Sequence, residues 1–302
     1  MSFSSGAKAE LCRDRLERKE LALAEACGVL LYGHSFTPRE IRLITASPDF
    51  AARLPRLFKR AFSLAFDQLP DPSCTGKRSF VIRDEKKLTA IFDAFGLERE
   101  SALAHHINYG LLEEDAARAA FVRGAFLAGG SVTDPEKRYH LELATAHRSV
   151  SREAHSLLLE MGFSPRETER AGNALLYFKQ ADAIADFFTA VGAPATALAV
   201  MTAKVDKEMR NTVTRQINCD SANADKTVAA AQEQLAAIRR IVKEYGSLDA
   251  LPEPLRDAAL LRVTNPEASL ADLALLSVPP VTKSCLSHRL KKILALAPKE
   301  QA

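Results

Sequence analysis

Apolar residues return along this chain in two different periods, and the alternation between them predicts its elements. Stretches with spacings of three and four read as helices: "DFAARLPRLFKRAFSLAF", "EKKLTAIFDAFG", "VSREAHSLLLEMGF" and "DAIADFFTAVGA". Between them lie short runs that alternate or carry β-branched and aromatic residues, "REIRLITAS", "RSFVIRD", "RYHLELATA" and "NALLYFKQ", which read as strands. Past Pro194 the strand pattern stops and helix period continues to the C-terminus.

One stretch resists the helix reading. "FVRGAFLAGGSV" (Phe121 to Val132) places Gly124, Gly129 and Gly130 in a run that otherwise reads as a buried helix, where each glycine costs roughly 1 kcal/mol relative to alanine. A phosphate loop would need a lysine after the glycines, and Ser131-Val132 stand there instead. A membrane helix would need about 20 apolar residues, and Arg123 interrupts the best candidate. Close packing of one helix on another remains.

A repeat supplies the partner helix. "ACGVLLYGHSF" aligns with "VRGAFLAGGSV" at a constant offset: Gly28 falls on Gly124, Gly33 on Gly129, Ser35 on Ser131 and Phe36 on Val132. The segments after the two copies correspond too, so each half reads helix, strands, helix, strand, helix. A glycine-bearing helix opening each of two αβ repeats resembles the LAGLIDADG homing-endonuclease fold, in which paired motif helices form the interface and two sheets make a saddle over DNA. Those enzymes carry a metal-binding acid near the end of each motif helix. The matching positions here are the degenerate Gly33 and Gly129. Glu25 lies about two turns back and Asp134 lies past the helix end. The resemblance therefore implies the fold without nuclease chemistry, with no catalytic residue, no metal site and no cofactor. The sheet face mixes charges (Glu136, Lys137, Arg138, Glu142, Glu167, Glu169), unlike a plainly basic saddle.

The C-terminal region predicts only helices. In "MRNTVTRQINCDSANADKTVAAAQEQLAAIRRIVKEY" the second part has helical spacing, with Asp225 near its start. "PEPLRDAALLR" is a helix stopped by Asn265-Pro266, and "SLADLALL" a short one with Ser269 as N-cap. After "SVPPV", Thr282 caps "KSCLSHRLKKILALA". Short helix, brief turn and amphipathic helix make a helix-turn-helix pattern. Leu286, Leu290, Ile293 and Ala297 form the packing face. Ser284, His288 and Lys291 lie opposite, flanked by Ser287 and Lys292. From Val281 to Lys299 there are five Lys or Arg and no acid. Thr282, Lys283, Ser284, Ser287, His288, Arg289, Lys291 and Lys292 are the candidate contacts to double-stranded DNA, because hydroxyls, imidazole and cations suit phosphates and base edges.

Composition adds little. The 302 residues carry a net charge of only +3, so nucleic-acid binding must rest on where charges sit. Five scattered cysteines and seven histidines show no metal or redox spacing. The N-terminus lacks the apolar core of a signal peptide, so a cytoplasmic location is expected, with no membrane contact.

The fold class expected is α+β, a duplicated LAGLIDADG-like domain followed by an all-α helix-turn-helix domain. The expected segments are a first repeat at 1–115, a second at 116–194, a helical linker at 195–245 and the helix-turn-helix domain at 246–302. This combination resembles the WhiA family, with local agreement in "MSFSSGAKAEL", "RGAFLAGGSV", "RQINCDSANADKTVAAA" and "NPEASLADLALLSVPPVTKSCLSHRLKKI". The resemblance implies a non-enzymatic, nucleoid-associated DNA-binding protein linked to cell division and chromosome segregation, and to transcriptional control of sporulation in some members. It leaves transcription or division proteins open as partners. A nuclease with non-standard acids and a protein-interaction module stand as alternatives.

Overall fold

The computed structural model describes residues 2–71, 73–74, 76–97 and 105–298. Its contacts divide the chain into Met1–Glu208 and Met209–Ala302.

The first unit opens with α1 (Phe3–Leu11), capped by Ser2, which buries Ala7 and Leu11. Little apolar periodicity announces this helix. The first repeat then runs α2 (Lys19–Leu31), β1 (Ser35–Phe36), β2 (Ile41–Thr45), α3 (Pro48–Phe62), β3 (Arg78–Ile82) and α4 (Glu85–Ala94). The second runs α5 (Asp115–Gly129), β4 (Gly130–Val132), β5 (Leu141–Thr145), α6 (Arg148–Glu160), β6 (Arg166–Arg170), β7 (Asn173–Phe178) and α7 (Ala181–Val191). Both sheets are antiparallel, ordered β1-β2-β3 and β4-β5-β7-β6. The registers correspond: Leu43 pairs with Phe80 in one sheet as Leu143 pairs with Leu176 in the other. The duplication is thus visible strand by strand. β6 is the exception. It is a fully exposed edge strand, "RETER", with no apolar alternation to announce it.

The glycines sit where α2 and α5 meet. A Cβ on Gly28 would lie 2.1 Å from the Phe121 carbonyl oxygen, and one on Gly124 would lie 2.1 Å from that of Glu25. The two clashes are equivalent under the repeat, and both are with backbone. Neither position can carry a side chain while the helices stay this close.

Beside the crossing lies a buried ion cluster. The Glu25 carboxylate, fully buried, accepts from Arg53 Nε and Nη2 at 2.6 and 2.7 Å and from Arg123 Nε at 3.0 Å. Arg123 also reaches Asp14 at 2.7 Å, and Arg53 donates to the carbonyls of Cys12 and Asp14. Two guanidinium groups and two carboxylates balance, with backbone oxygens taking further donors. The cluster ties α2, α3 and α5 to the loop after α1.

α8 runs Pro194–Tyr245 as one helix, so Asp225 falls inside it rather than at a start. No Gly or Pro occurs between Ala195 and Tyr245 to stop it. Its N-terminus is capped by Glu10, whose carboxylate accepts from the amides of Ala195 and Thr196 at 2.8 Å each. Ala197 and Val200 join the core of the first unit, whereas Ile238 and Ile241 join that of the second. The segment 195–245 therefore divides between two cores instead of standing apart as a linker, because its apolar residues gather at its ends.

The second unit continues with α9 (Glu253–Thr264), α10 (Leu270–Leu276) and α11 (Lys283–Leu296). Ile238, Ile241, Leu255, Leu273, Leu286, Leu290 and Ile293 form its core. Among the described residues no helix is long and apolar enough to cross a membrane.

Candidate nucleic-acid interface

Two places could engage nucleic acid, one in each unit. In the first unit, the C-terminal ends of α2 and α5 open into a cleft of about 410 Å³. Its lining pairs equivalent positions of the two repeats: Thr45 with Thr145, Ala46 with Ala146, and Gly33 beside Ala128. Polar side chains come from Tyr32, His34, Thr45, Lys77, Thr145 and Asn173, and among the described residues no carboxylate lines it. The motif positions are closed to any side chain. A Cβ on Gly129 would stand 2.3 Å from the Ala144 carbonyl oxygen, and one on Gly33 would stand 2.6 Å from Leu43 Cδ2 and 2.8 Å from the Val29 carbonyl oxygen. The strand end is drawn in by Thr145, whose hydroxyl donates to the Leu31 carbonyl at 2.7 Å. An acid at position 129 would displace β5. Glu25, the nearest acid along α2, is spent on Arg53 and Arg123. Asp134 accepts from the Glu136 amide at 2.9 Å in a turn.

The acids of the sheet face are largely answered within the fold. Glu142 meets Arg170 at 2.8 Å and His140 at 3.2 Å, and these partners hold its pKa below the usual carboxylate range against the opposing effect of burial. Glu169 meets Arg148 at 2.8 Å.

His105 and His147 are packed rather than displayed. The His105 ring stacks on Phe36 with centroids 4.7 Å apart, its Nε2 lies 2.6 Å from the Phe36 carbonyl oxygen, and the His147 ring meets it edge-on at 4.5 Å. Burial lowers both pKa values, that of His147 to about 4, helped by the charge of His105. Above about pH 7.5, a unit over the ordinary histidine value, both imidazoles are neutral in folded and unfolded chains alike, and their contribution to stability is whole. As pH falls from there toward 4, the unfolded chain takes up protons that the folded chain refuses, so stability is lost across that window. Thermal unfolding of the full chain between neutral pH and about pH 5 should therefore be steeper in the parent than in His147→Asn. Equal slopes would remove these rings from the acid response.

In the second unit, α10, the turn 277–282 and α11 make a helix-turn-helix. The Ser269 hydroxyl accepts from the Asp272 amide at 3.2 Å and donates to its carboxylate at 2.7 Å, fixing the start of α10. Thr282 Oγ1 accepts from the Cys285 amide at 3.2 Å, so this candidate contact is also the N-cap of α11. Leu286, Leu290 and Ile293 are buried, each contributing about 1.5–3 kcal/mol that holds the helix in one rotation. That rotation leaves Ser284, His288, Lys291 and Lys292 exposed, with Ser287 half-buried at the edge. Lys299 lies outside the described residues.

The remaining two candidates point elsewhere. Lys283 is exposed on the α8 side, where it lines a cleft of about 240 Å³ with Lys226, Thr227 and Ser269. Arg289 is half-buried and lines a groove against α9. No sequence pattern singles out Lys226, because it sits in α8, far from the helix-turn-helix. Behind that cleft, Arg262 is buried and donates to Gln234 Oε1 at 2.9 Å and the Ala268 carbonyl at 2.7 Å. It welds α8, α9 and the approach to α10.

Fold and site together define a duplicated LAGLIDADG-like αβ domain followed by a helix-turn-helix domain. Residues 118–210 match the family model described as the WhiA LAGLIDADG-like domain, and residues 213–297 match the WhiA C-terminal HTH domain. The latter range takes in the second half of α8. A protein of Clostridium perfringens (strain 13 / Type A) named "Probable cell division protein WhiA" is 34% identical over 313 residues, covering 98% of each chain. One of the same name from Clostridium tetani (strain Massachusetts / E88) is 33% identical over 98% of this chain and 97% of that one. The crystal structure of full-length DUF199/WhiA from Thermatoga maritima superposes with a TM-score of 0.61 at 24% identity, over 98% of both chains. The chain belongs to the WhiA family.

Proposed function

We propose that this protein is a non-enzymatic, double-stranded DNA-binding protein of cell division, cytoplasmic and nucleoid-associated, whose main duplex contact is α11. The observation that carries the reading is the exposed face of that helix: Ser284 and His288 in line with Lys291, flanked by Lys292, on a helix anchored by Leu286, Leu290 and Ile293. Lys291 and Lys292 serve phosphates, with Lys283 and Arg289 at the margins. Ser284, Ser287 and His288 serve base edges. Thr282 orders the start of the helix and can still donate its hydroxyl proton to a phosphate. Lys226, beside Lys283, extends the cationic track onto α8. The names of its relatives support the cell-division role, and the same reading extends to chromosome segregation and to transcriptional control of sporulation.

The absence of nuclease chemistry rests on the sterically closed Gly33 and Gly129, since metal-assisted phosphodiester hydrolysis needs carboxylates to place its cations. Supercoiled plasmid incubated with the protein and magnesium or manganese should stay uncut.

The test of the binding reading is a titration of full-length protein against duplex DNA over a range of salt. Changing Lys291 and Lys292 together to alanine should weaken binding to every sequence and reduce the salt slope by about one to two units. Lys226→Ala should reduce it by about one. Ser284→Ala and His288→Ala should shift sequence preference more than overall affinity. An unchanged slope in the double variant would place the duplex elsewhere, with the cleft at Gly33 and Gly129 the next surface to examine.

A further inference from the structure

α9 and the helix-turn-helix enclose a second surface, which shares only Arg289, at its edge, with the DNA reading. A groove of about 450 Å³ runs along α9, closed on its other side by the turn before α11 and by Leu286. Leu260, Leu276 and Val278 line it and are 49%, 54% and 96% exposed. Isolated exposed aliphatic side chains are ordinary, but three gathered on one concavity mark an interaction surface.

Of the three charged residues that line the groove, two are acids on α9 and the third is Arg289 on α11. Glu253 and Asp257 stand one helical turn apart on α9 and both line it. Among the described residues neither forms an ion pair within the fold. Like charges at that spacing cost the helix a few tenths of a kcal/mol, which the place of Glu253 in the first turn of α9 partly offsets. Arg289 lies at the α11 side, roughly a third of a turn round that helix from the face bearing Ser284, His288 and Lys291. The groove therefore remains open while that face is against DNA.

We propose that this groove docks an amphipathic helix of a partner protein, with aliphatic residues at i, i+3 or i+4 and i+7 entering beside Leu260, Leu276 and Val278, and with Lys or Arg on its flank opposite Glu253 and Asp257. A helix fits because the groove follows the twelve residues of α9, about 18 Å, which is three turns of a partner helix. A basic flank fits because the two acids have no ion-pair partner among the described residues. The domain thus reads nucleic acid with one face and a cationic protein helix with another, and a bound partner is brought to the DNA without competing for it.

The probe is a displayed library of roughly sixteen-residue helical peptides selected on the full-length protein. Enriched sequences should be amphipathic and net basic. Individual enriched peptides should bind at least about tenfold more weakly to the Leu276→Glu/Val278→Glu protein. Asp257→Lys should reverse the preference between lysine- and glutamate-flanked versions of one peptide. Both positions in the double variant are exposed, so the fold should survive, and circular dichroism and duplex binding measured alongside should match the parent. Enrichment of acidic or extended proline-rich peptides, failure to enrich any, or equal binding to the double variant would each overturn the proposal. So would a dimer of the parent protein that dissociates in the double variant, which would assign the groove to a second copy of this chain.

Discussion

Alanine at position 124 should cost the first unit about 4 kcal/mol or more, enough to unfold it. The added methyl would meet the Glu25 carbonyl oxygen at 2.1 Å and the Val29 amide nitrogen at 3.0 Å, and neither can rotate away as a side chain would. Relief requires α2 and α5 to separate, which breaks the packing of both repeats at once. The comparison is Gly6→Ala in α1, where nothing lies within 4 Å of the added methyl. There the intrinsic preference for alanine should stabilise by up to about 1 kcal/mol. Chemical denaturation of the two variants reads the contrast directly. Duplex binding by residues of the second unit should persist in Gly124→Ala if α11 is the main contact. Two substitutions of identical chemistry and opposite outcome would establish helix approach as the reason for these glycines, and similar midpoints would refute it.

Glu25→Ala should destabilise the same unit by about 3–5 kcal/mol. Its removal leaves the guanidinium groups of Arg53 and Arg123 facing one another out of water, with the Asp14 carboxylate left as counter-charge. Glu25→Gln should cost less, since it keeps the shape and one acceptor oxygen. The exposed bidentate pair between Arg18 and Glu114 is the control. Arg18→Ala there should cost no more than about 1 kcal/mol, because both groups are already in water. Urea midpoints for the three variants test the order. A Glu25→Ala protein as stable as Arg18→Ala would show that the cluster is neutral to stability.

These two sites also show how far residues alone can be read. The glycines are legible because a penalty in a helix interior demands a cause, and the repeat names it. The strands β2 and β5 are legible from one-sided burial, and β3 and β7, each with three consecutive buried residues, from their β-branched and aromatic content. β6 is not, since an edge strand exposed on both faces needs no apolar residue. α1 is not, since its nine residues hold only two buried ones. Glu25 stands out as an acid near the motif, but its partners Arg53 and Arg123 are distant in sequence, and no local pattern pairs them. On α11 the apolar spacing fixes which side faces outward. The groove under α9 and the neighbour of Lys283 on α8 arise from packing between elements, where single-helix periodicity is silent.

The middle of α8 differs from every other helix in how it can yield. Each residue from 208 to 229 is exposed, and that stretch is rich in Asn, Asp, Ser and Thr, among the weaker helix formers. A helix without buried side chains is held by its backbone bonds, by local side-chain hydrogen bonds such as those from the Thr214 and Thr227 hydroxyls to the Arg210 and Asn223 carbonyls, and by the continuity of the turns on either side. It should open and reclose on its own, well before either core melts, so its amides exchange with solvent at a cost unrelated to the stability of the folded units. A protease meeting the protein would cut first within this stretch, leaving both cores behind as resistant fragments.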